Sequence, residues 1–176
     1  EELLSEEDGY NIYRVQFEVL EGLKLQGLLF KQHGEGKRPM VIAQHGGNGT
    51  PELVAGMFGT THNYNDMLHR TLKHGVHIFA PSLMIWCVNS YDAPFDRTAI
   101  DARLKRVGSS ITALEVYAIS RIIDYFEATL NPLSMTKQVR KGAKVTTKDR
   151  IITLSTCTRA IDSTGNYRFV VMAKLV

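Results

Sequence analysis

One short stretch constrains this chain more than any other. Residues 40–44 (MVIAQ) form an apolar run of the kind found in strands buried on both faces. A glycine-rich loop follows, HGGNGTP at 45–51. Residues 64–74 (YNDMLHRTLKH) then read as a helix, with Met67, Leu68, Thr71 and Leu72 along one side and Gly75 as its stop. VHIFAPS (76–82) is a second buried strand, and Pro81 marks its exit. Strand, loop, helix, strand is the unit of a parallel sheet with covering helices, because parallel neighbours need a crossover long enough to return the chain. Residues 40–44 and 76–81 are therefore expected as adjacent parallel strands.

The flanks add to that unit. IYRVQFEVL (12–20) and LKLQGLLFK (23–31), separated by Glu21-Gly22, read as an antiparallel hairpin at the front edge. Residues 83–109 are irregular apart from a short helix over 97–106. The clearest helix spans 110–130, where Leu114, Ala118, Ile122 and Phe126 recur at four-residue spacing with Ile111 and Ile119 beside them. Ser110 can cap its start, and Asn131-Pro132 stops it. Strands are expected at 148–158 and 167–176, around a turn at 162–166. The expected fold class is α/β: a short, incomplete parallel sheet with flanking helices and an N-terminal antiparallel hairpin, plus a C-terminal strand pair.

Bulk properties exclude several roles. The chain has 176 residues, the size of one domain with a real core. A net charge of +3, from 21 basic and 18 acidic residues, is too slight for a nucleic-acid partner. The charge is uneven: residues 1–8 are acidic, and 137–150 hold six Lys or Arg against one Asp, which reads as a solvated loop and strand edge. Cys87 and Cys157 are no disulfide framework, and Cys87, after Ile85 and Trp86, reads as an inert packing residue. No run is long and apolar enough to span a bilayer, and no signal segment opens the chain. No cofactor and no metal is expected, and oligomeric state is not readable.

The stretch VIAQHGGNGTPELVAGMFGTTHNYNDMLHRTLKHGVHIFAPSLMIW, followed by PFDRTAIDARLKRVGSSITALEVYAISRIIDYF, resembles α/β-hydrolases of the acetyl-xylan-esterase and dienelactone-hydrolase-like group. The resemblance covers about residues 10–126 and implies a small ester substrate and a cytoplasmic setting. It also implies that the loop His45-Gly46-Gly47 forms an oxyanion hole, with Gly46 and Gly47 as backbone donors and His45 as a candidate base. Each such donor contributes about 2.7–4 kcal/mol to transition-state binding. The sequence departs from the family afterwards. No G-x-S-x-G nucleophile motif occurs, and nothing after residue 130 resembles the family's acid and histidine segments.

ITLSTCTRA (152–160) and YRFVVMAKLV (167–176) resemble the last two strands of a class B sortase. Thr153-Leu154-Ser155-Thr156-Cys157 matches that family's T-L-x-T-C signature, and Arg168 falls on the next strand, where the family has its active-site arginine. The resemblance implies Cys157 as thiol nucleophile, Arg168 as substrate or oxyanion stabiliser, a peptide sorting signal as substrate and a bacterial cell-surface setting. The barrel front and histidine of a sortase have no counterpart. His33, His45, His62, His69, His74 and His77 all lie in hydrolase-like context. His69 and His74 are expected on the outer face of a helix, and His77 at the start of a strand.

The chain thus looks like a chimera: a partial α/β-hydrolase domain over 1–126 and a sortase-like segment over 127–176, joined within 122–135. Asp149-Arg150-Ile151 opens the tail strand as the hydrolase nucleophile strand opens, which would put Cys157 at the serine's place beside 40–44; Arg159 fits poorly in such an elbow. Three functions stay open. They are an esterase-type acyl-transfer enzyme fragment or fusion, a sortase-type cysteine transpeptidase, and a catalytically inactive chimera.

Overall fold

The structure, a computed structural model, describes residues 1–46, 49–59, 64–84 and 96–130, and the backbone of 151–157 and 168–174. Gly47, His62, Cys87, Arg159, the helix stop at 131–132, the basic run at 137–150 and the turn at 162–166 lie outside the described residues. The chain divides into two compact units, Glu1–Pro132 and Leu133–Val176.

In the first unit the strands are β1 (Glu2–Glu7), β2 (Tyr10–Leu20), β3 (Leu23–Gln32), β4 (Met40–Ile42) and β5 (His77–Pro81). The helices are α1 (Pro51–Val54), α2 (Met67–Leu72), α3 (Arg97–Arg106) and α4 (Ile111–Leu130). The strands form one mixed sheet in the order β1-β2-β3-β5-β4. β4 and β5 are parallel neighbours, with Met40 opposite His77 and Ile42 opposite Phe79.

The rest of the sheet differs from the parallel sheet expected. The β2–β3 hairpin is no appendage at the edge, because β3 pairs antiparallel with β5, Gly27 opposite Pro81 through Phe30 opposite Ile78. Among the described residues only one pair is parallel. The reason lies in β3 itself: Gly27, Leu28, Leu29 and Phe30 are all buried, so this strand has two covered faces and belongs inside the sheet. The acidic N-terminus is an edge strand antiparallel to β2. Its side chains are mostly exposed, and three glutamates among them keep the edge from further pairing.

β5 is buried along its whole length, and its alternating side chains divide the core in two. Ile78 and Ala80 join Leu28, Phe30, Val54, Ala55, Leu68 and Leu72, beneath α1 and α2. Phe79 points the other way, to Val15, Leu29, Ala118, Ile122 and Phe126, beneath α4. Phe79 and Phe126 lie 5.4 Å apart between ring centres, and Phe17 meets both edge-on.

α4 begins at Ser110 as expected, its hydroxyl accepting from the Ala113 N–H at 3.0 Å. Its buried stripe is Ile111, Glu115, Ala118, Ile122 and Phe126, so Glu115 takes the place expected of Leu114, which is half-buried. Glu115 is tolerated there because Arg97 of α3 lies 3.7 Å from its carboxylate. Asp101 ties the same two helices, accepting the Ile111 N–H at 2.9 Å. The helix runs unbroken through Phe126 to Leu130, and Leu130 still packs on the unit's core.

In the second unit β6 (Ile151–Cys157) and β7 (Arg168–Lys174) form a two-stranded antiparallel sheet. They lie within the strands expected at 148–158 and 167–176, whose ends fall outside the described residues.

Gly27 marks the tightest point between β3 and β5. A Cβ there would lie 2.4 Å from the Ala80 carbonyl oxygen and 2.7 Å from the Phe79 ring. Gly27→Ala should therefore overpack the sheet and cost about 1–3 kcal/mol, whereas Phe126→Ala should open a cavity and cost about 3–5 kcal/mol. Urea unfolding of parent and variants checks both; a neutral Gly27→Ala would contradict the close strand approach.

Candidate functional site

The loop leaving β4 sits at the carboxyl end of the parallel pair, the end at which open α/β sheets bind their ligands. Its first side chain, His45, is turned inward and buried. The Leu83 N–H, just beyond β5, donates to His45 Nε2 at 2.9 Å. That bond needs a lone pair on Nε2, so the ring hydrogen sits on Nδ1, which donates to the Gly46 carbonyl at 2.7 Å. His45 therefore ties the exit of β4 to the exit of β5 as a neutral imidazole. Burial pushes its pKa below the ordinary range, partly offset by the Gly46 carbonyl and by Glu52. The base role that the sequence suggests for His45 would require Nε2 to be released from Leu83.

Gly46 is exposed at the loop surface. Its carbonyl also accepts the Gly49 N–H at 3.0 Å. Its N–H donates to the Tyr64 hydroxyl at 3.1 Å. Immediately after the turn Thr50 caps α1, its hydroxyl accepting from the Leu53 N–H at 3.2 Å, and Pro51 occupies the first helical position. Cap and proline fix where the loop ends.

The expected helix at 64–74 is shorter because Asn65 and Asp66 are left-handed, with φ of 43° and 52°. Such a conformation costs a non-glycine residue about 1–3 kcal/mol. Asp66, of the right type to cap α2, instead accepts from His69 Nδ1 at 2.6 Å, and both groups are exposed. His74 is exposed too, as expected of an outer helix face. His77 is the surprise among the histidines. It is buried at the start of β5, and its Nδ1 accepts the Gln32 N–H at 3.1 Å, so it continues the β3 ladder with a side chain. Burial, and then Arg38 and Lys31, depress its pKa.

In the second unit the backbone register sets Cys157 directly opposite Arg168 across the two strands. Residues paired in this way have Cβ atoms about 4.5–5.5 Å apart. Among the described residues, no three His, Cys, Asp or Glu side chains gather as a metal site, and no helix is long and apolar enough to cross a membrane.

Comparison with known proteins agrees with the first unit's architecture. A solved Bacteroides fragilis NCTC 9343 protein, assigned as an acetyl xylan esterase, shares this fold. The TM-score is 0.61 at 14% sequence identity, over 74% of this chain and 38% of that one. The likeness is one of fold, and the chain spans well under half the length of that structure. No family model and no curated protein matches the chain.

Sequence reasoning singled out His45, Gly46 and Gly47 as a loop but missed the partners that hold it. Gly49 was visible as part of the glycine-rich run. Tyr64 was read only as the start of a helix, and Leu83 contributes a backbone N–H that no side-chain motif can announce.

Both buried histidines make stability depend on pH. Each is neutral in the fold with a depressed pKa, while the unfolded chain takes up the proton near the ordinary 6.5. Below that pH the unfolded state binds more protons, so stability is full above it and is lost as pH falls through the folded values. Unfolding free energy measured by denaturant between pH 8 and pH 5 should decline. His77→Asn, which keeps an acceptor for Gln32 but cannot titrate, should flatten the decline, and an unchanged slope would remove His77 from the account.

Proposed function

We propose that the chain is built for acyl transfer, on the front portion of an esterase-type α/β scaffold. The loop at 45–47 would receive the carbonyl oxygen of a small ester. The observation that carries this reading is the position of the loop at the carboxyl end of the β4–β5 pair, on a fold shared with a protein assigned as an acetyl xylan esterase. Gly47 is assigned as a backbone donor to the oxyanion, while the Gly46 N–H is engaged by the Tyr64 hydroxyl. His45 enters as the anchor that aims the loop, since its two nitrogens face Gly46 and Leu83. The sequence contains no G-x-S-x-G, so this unit carries the loop without the nucleophile motif that the resemblance implies.

The test is hydrolysis of p-nitrophenyl acetate. The expected result is a slow rate above buffer that His45→Ala, which removes the anchor of the loop, lowers at least tenfold. A parent rate equal to that of buffer favours the inactive chimera, for which the missing nucleophile motif already argues.

A second reading is favoured by the register of β6 and β7. Cys157 opposite Arg168 is the arrangement a sortase-type cysteine transpeptidase needs, because a guanidinium beside a thiol favours the thiolate. Alkylation of Cys157 by iodoacetamide, followed against pH by mass spectrometry, should proceed at lower pH than that of Cys87. Arg168→Ala should move the Cys157 profile upward toward the free-thiol value of about 8.5. Preferential labelling of Cys87, or a Cys157 profile that Arg168→Ala leaves in place, would remove the thiolate pair from consideration.

A further inference from the structure

The loop that leaves β4 is served by a side chain from outside it. Tyr64 is half-buried, its ring packed against the core beneath α1 and α2, while its hydroxyl reaches back to accept the Gly46 N–H at 3.1 Å. The loop is shaped to admit that hydroxyl. A Cβ on Gly49 would lie 2.3 Å from the Tyr64 oxygen, 2.9 Å from His45 Cβ and 3.0 Å from the Gly46 carbonyl. Gly49 has no left-handed backbone to explain it, so its bare Cα serves here to make room for the phenol. On the other side, the left-handed pair Asn65 and Asp66 turns the chain from Tyr64 into α2, and the Tyr64 carbonyl accepts the Met67 N–H at 2.8 Å. Loop and turn together fix where the hydroxyl points.

A phenol has one hydrogen to donate and two lone pairs with which to accept. One lone pair takes the Gly46 N–H, and among the described residues no acceptor takes the phenolic hydrogen. A hydroxyl that accepts a hydrogen bond becomes a better donor. We infer that Tyr64 is the side-chain donor of this site, its O–H meeting the carbonyl oxygen of an ester or the carboxylate of the product acid. Gly46 then acts on that oxygen through Tyr64, by polarising the phenol, instead of meeting it directly. This rests on the acyl-transfer reading above for the identity of the ligand, but not for the geometry.

The test uses the full chain, ¹⁵N-labelled, titrated with sodium acetate against sodium chloride at matched ionic strength, with the Gly46 amide resonance as the readout. The parent should show a saturable shift. Tyr64→Phe should weaken acetate binding at least tenfold with the remaining resonances in place, and Gly49→Ala should do the same with the phenol still present but displaced. Equal acetate binding by Tyr64→Phe would show that the amide meets the carboxylate itself, and would overturn the proposal. So would the lack of a saturable response in the parent, which would leave Tyr64 a structural tie. Turnover of p-nitrophenyl acetate by the same samples separates the two readings. Tyr64-dependent acetate binding without turnover overturns acyl transfer and leaves the donor role standing. Turnover that Tyr64→Phe does not alter overturns the donor role and leaves acyl transfer.

Discussion

The burial of β5 on both faces is the constraint from which the first unit follows. Five consecutive residues, His77 to Pro81, have almost no contact with water. A strand of that kind needs a backbone partner on each edge and a helical layer on each face, since unpaired backbone groups in the interior cost as much as lost hydrogen bonds. β3 and β4 supply the edges, α1 with α2 supplies one face, and α4 the other. Gly27 shows how tight the result is, for the sheet there has no room for a single methyl group.

The candidate site is a by-product of the same constraint. Where two parallel strands end together, their last N–H and carbonyl groups must find partners among loop residues. Here one imidazole does that for both strands, binding Leu83 after β5 and Gly46 after β4. The described ends of the loop are held by His45, the Gly49-to-Gly46 hydrogen bond and the Thr50 cap. An exposed glycine and the hydroxyl of Tyr64 meet there, the Gly46 N–H donating to the phenol. The buried histidines also confer a liability, because each gives up its acceptor nitrogen when protonated.

The second unit has a narrower basis. Its two strands place a cysteine and an arginine at one register position, and that placement is a property of the backbone pairing alone. The similarity to the Bacteroides fragilis structure speaks to fold, at an identity too low to carry an activity. It reaches 38% of that protein, which has more chain around this scaffold than the matched part includes.

The sequence by itself determined the β4–loop–α2–β5 order, the parallel pairing of β4 with β5, the extent of α3 and α4 and the Ser110 cap. All of these rest on local signals: apolar runs, period, caps and glycine stops. It also marked His45 and Gly46 through a glycine-rich loop in a recognisable place. What it could not show was which strand lies next to which at a distance. β3 inside the sheet, β1 at its edge and Glu115 on the buried stripe of α4 each depend on a partner far along the chain. The roles of His45, His77 and Tyr64 were settled in the same way, by a backbone N–H 38, 45 or 18 residues distant. A hydrogen bond to a backbone amide has no side-chain signature at the donating end, so only the tertiary structure could decide that these groups meet.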